Sequence, residues 1–264
     1  MKGIHLDITA EDAKKIFILL ISFELLLTIF YIGHTYLRYP AGVLHELVDM
    51  DGETSIPTWF ATLLLFLTGL LLLLFSRQRT AGVPPSSRFF KLGGLGFIFL
   101  SMDEAVMFHE NITRVLAPID WIPRFPGDHG IWVPVYIGIG LVLAPLFYAD
   151  ILAMWKLFRQ ETLIILAGVG IFLAGALAIE VLSYYIFENR ELKYLLPVEE
   201  AVEEFLEMVG ISTLLYGVVL LAGRRQAEAV PSGSAQMKAA GDDLISVSSG
   251  ILDARASYEQ KTMD

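Results

Sequence analysis

The sequence predicts an all-α, polytopic integral membrane bundle of six helices, and three observations lead there. Of 264 residues, 55% are hydrophobic and only 18% charged. Mean hydropathy is +0.60. The apolar residues also fall into six stretches, each near the ~20 residues that cross a ~30 Å hydrocarbon core. With 19 Lys+Arg against 29 Asp+Glu the formal charge is −10, the wrong sign for a surface that must neutralise phosphates, so nucleic acid is excluded as a partner. The lipid bilayer is the expected one. The absence of cysteine removes disulfides, thiolate zinc sites, iron–sulfur clusters and Cys nucleophiles, and leaves histidine and carboxylate chemistry.

The first span covers 16–37. Thr9 followed three residues later by Asp12 is a capping-box-like pair that starts the helix near Ala10, with Lys14 and Lys15 at the membrane surface. No A-x-A site follows, so this segment is read as a retained anchor rather than a signal peptide. The second span covers 59–75; Pro57 suits a helix start and Trp59 an interfacial anchor. The third, 89–109, contains Gly93-Gly94-Leu95-Gly96, small residues that permit close helix packing. The remaining spans are 132–158, 163–187 and 198–221. After Gly223 the composition turns to Ala, Ser, Gly and mixed charge, which divides the chain into a transmembrane domain, 1–222, and a polar, flexible tail, 223–264.

Orientation follows from basic residues near the span ends. Lys2, Lys14, Lys15, Arg77, Arg79, Arg88, Lys91, Lys156, Arg159, Arg224 and Arg225 fall on one side, against Arg38, Arg114, Arg124, Arg190 and Lys193 on the other. Both termini are therefore expected in the cytoplasm, with outer loops at 39–58, 111–131 and 188–197.

The acids concentrate toward the outer half. In the last span Glu199, Glu200, Glu203, Glu204 and Glu207 fall within an arc of roughly 140° at 100° per residue. Pro197 and the helix dipole account for Glu199 and Glu200 as first-turn residues. Glu207 lies roughly 13 Å below Val198 at 1.5 Å per residue, where a charge facing lipid would cost several kcal/mol. Glu203, Glu204 and Glu207 must therefore face protein, water or a cation. In the third span Asp103 and Glu110 are seven residues apart and are expected on one helix face. In the fifth, Glu180, Ser183, Tyr184 and Glu188 form a polar line, as do Glu24, Thr28, Tyr31 and Thr35 in the first. The simplest packing turns these stripes toward one another.

So many carboxylates cannot all ionise side by side without a cation or shared protons. The expected metal-ligating set is Asp103, His109, Glu110, Glu180, Glu203, Glu204 and Glu207, with Fe, Mn, Zn or Ca as the divalent ion. His34, His45 and His129 are further imidazoles near the outer ends. Glu24 and Tyr184 are expected on a proton pathway. Asp49, Asp51 and Glu53, alternating around Gly52, open like a calcium loop but lack its length and its closing Glu, and form a possible outer-loop cation site. The Glu-x-x-His pairs of ferritin-like sites, G-x-S-x-G, H-E-x-x-H and the P-loop are all missing.

The block Asp51-Gly52-Glu53 with Ile56-Pro57-Thr58-Trp59-Phe60, followed by Ser101-Met102-Asp103-Glu104 and His109-Glu110, resembles signatures of uncharacterised bacterial multi-pass membrane proteins. That resemblance implies a bacterial inner membrane and carries no activity. Three functional expectations follow from the residues: a carboxylate/His divalent-cation site, structural or used for hydrolysis or oxidation; an accessory subunit that meets other membrane subunits through its tail; or a proton or cation pathway.

Overall fold

The computed structural model describes residues 8–37, 46–52, 54–78, 82–125, 130–186 and 190–229. Among them the regular structure is all helical, without strands. Helix α1 runs Ala10–Leu37, α2 Ile56–Phe75, α3 Ser87–Val106, α4 Phe108–Leu116, α5 Trp132–Leu157 and α6 Arg159–Leu173. A π-helical segment, Ala174–Ile179, joins α6 to α7, Glu180–Ile186; a 3-10 turn, Arg190–Leu195, then leads into α8, Leu196–Ala229.

Local chemistry sets the helix starts. Thr9 Oγ1 accepts from the Asp12 backbone N–H at 3.1 Å and donates to Asp12 Oδ2 at 2.6 Å, so α1 begins at Ala10, as the capping pair predicts. Ser55 caps α2, accepting from the Thr58 N–H at 3.3 Å, with proline in the first turn where a missing N–H costs nothing. Ser86 caps α3 in the same way, and Asp150 of α5 accepts from its N–H and hydroxyl at 2.6 and 2.8 Å.

Five helical stretches are long and apolar enough to cross a membrane: α1, α2, α5, the run from Arg159 through Ile186, and the run Leu192–Ala229. Helix α3 is as long as α2 but carries Arg88, Lys91, Asp103 and Glu104, and it packs along α2. The contact is close because two glycines meet. A Cβ added at Gly94 would lie 2.8 Å from the Gly69 carbonyl oxygen, so the close packing expected of 93–96 is made at Gly94, while one added at Gly96 would meet nothing within 4 Å.

Helix α8 is the spine of the bundle and touches α1, α2, α6 and the π segment. Its residues Ala201, Met208, Ile211 and Leu215 pack with Leu27, Tyr31, Phe60 and Leu64 on one side. Leu214, Val218 and Leu221 pack with Phe75, Phe90, Phe158 and Ile165 on the other. Against α6 the two backbones nearly touch: a Cβ added at Gly168 would lie 2.4 Å from the Leu214 nitrogen, and one at Gly210 would lie 2.4 Å from the Phe172 nitrogen.

Three elements differ from the sequence expectation. The third helix does not reach His109: Met107 adopts a left-handed conformation (φ 54°, ψ 47°), which ends α3 and restarts the chain as α4. Asp103 and Glu110 therefore do not share one helix face. The fifth span is not one regular α-helix, because the π segment inserts an offset between α6 and α7 and breaks the 3.6-residue periodicity. The last helix continues past Gly223 to Ala229. There Arg224 Nη1 donates to the buried Glu161 carboxylate at 3.0 and 3.2 Å, and Arg225 Nε donates to the Val83 carbonyl at 3.1 Å with its guanidinium over the Phe90 ring. The flexible tail expected over 230–264 lies outside the described residues.

Replacing Gly168 or Gly210 by Val is expected to push α6 and α8 apart and cost at least about 1–3 kcal/mol, the range for overpacking. Thermal unfolding in mild detergent should show a clear drop for either variant. Gly223→Ala, where an added Cβ meets nothing within 4 Å, should leave it unchanged.

Candidate functional site

One cavity of about 520 Å³ opens among α2, α3, α4, α5, α6, the π segment, α7 and α8. Its wall has two chemistries. One is carboxylate: Asp51 ahead of α2, Asp103 and Glu104 on α3, Glu110 on α4, Glu180 on α7, and Glu203, Glu204 and Glu207 on α8. The other is apolar, with Leu65, Leu100, Ile137, Leu141, Phe172 and Leu177.

The carboxylate side is built by the seam between α6 and α8. Gly175 in the π segment lies so close to α8 that an added Cβ would sit 2.8 Å from the Glu203 carbonyl oxygen and 2.9 Å from Glu207 Cγ. With no side chain there, the acids of α8 stand directly beside the π segment and α7. On α7 the Tyr184 hydroxyl donates to Glu180, and the Tyr184 ring stacks on Phe125 with centroids 5.6 Å apart. The segment before α5 is gathered by Arg124, whose Nη1 and Nη2 donate to the carbonyls of Ala117 and Ile119 at 3.1 and 2.6 Å.

The break at Met107 places the imidazole. Asp103, 6% exposed, accepts from the backbone N–H of His109 at 2.9 Å and so satisfies one of the open donors of α4's first turn. Its second oxygen lies 3.4 Å from His109 Nδ1. Burial opposes charge on this imidazole. The hydrogen bond and charge of Asp103, with the charges of Glu104 and Glu110, outweigh it and raise the pKa above the usual imidazole value. Trp132 meets the His109 ring edge to face, with centroids 5.3 Å apart. Glu110 turns to the rim, where Arg114 Nη2 donates to it at 2.8 Å with both side chains exposed.

All seven residues expected as metal ligands, Asp103, His109, Glu110, Glu180, Glu203, Glu204 and Glu207, lie in the wall of this one cavity. They are spread around it: among the described residues no three His, Asp or Glu converge closely enough to hold a metal ion. Asp51 joins the wall, Asp49 lies against Gly52 outside it, and Glu53 is outside the described residues. His34 is not part of the wall, and His45, His129 and Glu188 lie outside the described residues.

The stripe of α1 does not turn toward the cavity as expected. Glu24 is fully buried against α8, where Ser212 Oγ donates to its Oε1 at 2.5 Å and its Oε2 has no partner; nearer the acidic end, the Tyr31 hydroxyl donates to Glu200. The reason is geometric: α1 packs on α8 and α2, leaving its polar groups to bond across the helix pair.

Sequence reasoning missed the contribution of α5. Trp132, Tyr136 and Gly140 line the cavity at i, i+4 and i+8, one face of the fourth span, and that aromatic-to-glycine line was the available signal. The Tyr136 hydroxyl is buried near Asp103 without completing a hydrogen bond.

Residues 17–221 match the family described as Domain of unknown function (DUF8692). The chain belongs to this family. The matched region contains every residue of the cavity wall. No curated protein and no solved structure matches the chain.

Asp103→Asn is expected to lower the His109 pKa, read by NMR titration of the imidazole. The sign for stability follows. With a raised folded-state pKa, the imidazolium contributes below the unfolded value of about 6.5 and the contribution is lost as pH rises through the folded value. The variant should therefore unfold at a lower temperature than wild type below pH ~6.5, with the gap closing at alkaline pH.

Proposed function

We propose that this is a six-span membrane protein, with both termini cytoplasmic and at home in a bacterial inner membrane, whose outer-half cavity binds an organic cation. The observation that carries the reading is the composition of the cavity wall at its size: eight carboxylates and no described Lys or Arg around about 520 Å³. Like charges gathered at membrane depth raise one another's free energy, so the site draws in positive charge, and low-dielectric walls focus that field. Size then selects among cations. A volume of this order falls in the range of small-molecule pockets, roughly 300–1,000 Å³, and far exceeds what a dehydrated ion fills.

The apolar half of the wall supports the same choice, since Leu65, Leu100 and Phe172 suit the hydrocarbon of an organic ligand and offer nothing to a metal aquo-ion. A divalent metal centre built from Asp103, His109, Glu110, Glu180, Glu203, Glu204 and Glu207 is the competing occupant. The spread of these groups around the wall disfavours it. In the adopted reading Glu203 and Glu207 hold the cationic head, and Tyr184 steers Glu180 by hydrogen bonding. Helix α3 serves as the sixth span, its charged residues covered by α2 and by the cavity.

The test is calorimetric titration of the purified chain in lipid nanodiscs with tetraethylammonium, beside ethanesulfonate and Mn²⁺. Saturable binding of the ammonium alone is expected. Glu203→Gln and Glu207→Gln should each weaken it about tenfold or more, the scale of one charge-assisted contact. Tight stoichiometric Mn²⁺ binding with no ammonium binding would sink the reading in favour of a metal centre.

A further inference from the structure

The cavity wall reaches the surface in two places of different chemistry. Exposed Asp51 marks one, at the acidic end of the bundle. The other is on its flank, where Ile137, Gly140 and Leu141 of α5 and Leu173 of α6 line the cavity and are also exposed, Leu141 by 70% and Leu173 by 44%. Helix α5 explains this opening. Val133 and Tyr136 hold it near one end and Phe147, Asp150 and Met154 near the other, while residues 137–146 between them are all exposed. At Gly140, which lines the cavity, an added Cβ would meet nothing within 4 Å.

Gly140 lies roughly 12 Å along α5 from Trp132 at 1.5 Å per residue. Tryptophan prefers headgroup depth, which puts the flank mouth at hydrocarbon depth, where an open apolar gap is filled by aliphatic chain rather than by water.

We infer that the occupant is a bilayer-borne amphiphile with an amine or quaternary ammonium head and an aliphatic chain, which reaches the cavity sideways through the gap between α5 and α6. This rests on the organic-cation reading and names its substrate class. The head meets Glu203 and Glu207 while the chain leaves past Gly140 and Leu173. An anionic phospholipid is the wrong occupant, because its phosphate would face eight carboxylates with no described Lys or Arg in the wall. A short water-soluble cation would use the mouth at Asp51 and leave the flank gap without a role.

The experiment uses the full chain in nanodiscs with a dodecylamine that carries a photoreactive diazirine at mid-chain, followed by peptide mapping. Labelling is expected within 137–141 and 173–177, competed by plain dodecylamine and not by dodecyl sulfate. Gly140→Trp, which fills the gap, should reduce it at least tenfold. Gly138→Trp should not, since Gly138 is equally open but outside the cavity wall. Labelling spread along all lipid-facing helices, or competed equally by dodecyl sulfate, would overturn the inference; both readouts use the wild-type chain and stand even if Gly140→Trp does not fold. Tetraethylammonium binding to the wild type separates the two failures. If it persists while the amphiphile result fails, only sideways access is wrong; if both fail, the organic-cation reading falls with it.

Discussion

The closeness of α6 to α8 is the constraint on which the rest of the bundle depends. At Gly168, Gly175 and Gly210 the two backbones approach until a single added carbon would collide with main-chain atoms. Packing at that distance maximises van der Waals contact where lipid offers no hydrophobic drive for helices to associate. It also fixes which way α8 faces. With its glycine side against α6, α8 presents Met208, Ile211 and Leu215 to α1 and α2, and Glu203, Glu204 and Glu207 to the cavity. The facing of the acids is therefore set by backbone contacts one to two turns away.

Two irregularities complete the cavity. The π segment carries Gly175 and ends at Glu180, so it both admits the acids of α8 and swings Glu180 into the wall. The left-handed Met107 turns the chain so that His109 and Glu110 sit on a separate short helix and Asp103 can cap it. Both are places where a regular helix would have carried polar groups to the wrong face. Departures of this kind concentrate where a structure serves a ligand rather than its own stability.

Charge in the bundle is handled differently at its two ends. At the end bearing Glu161, the acid is matched: Arg224 pairs with it, and Arg225 is held by a carbonyl and an aromatic face. In the cavity the acids outnumber the single lining imidazole eight to one. A buried pair of opposite charges is complete in itself, whereas a wall rich in one sign focuses a field that attracts positive charge.

Much of the fold was legible in the sequence. Hydropathy and length gave the helices, Thr9 and Asp12 gave the start of α1, Gly93 to Gly96 gave a close helix contact, and 3.6-residue periodicity put Glu203, Glu204 and Glu207 on one face. These are local properties, set by neighbours within a turn or two. What periodicity could not supply was any break in itself. Met107 is not a residue that favours positive φ, and nothing in Ala174–Ile179 announces a π offset, so Asp103, Glu110 and Tyr184 were assigned to faces of ideal helices. Nor could it say which stripes would meet. Glu24 and Tyr31 turned to Ser212 and Glu200, while Trp132, Tyr136 and Gly140 of an otherwise featureless span became cavity wall. The sequence determined which residues share a helix face; tertiary structure decided which faces meet, because the glycines that let backbones touch fix the rotation of each helix about its own axis.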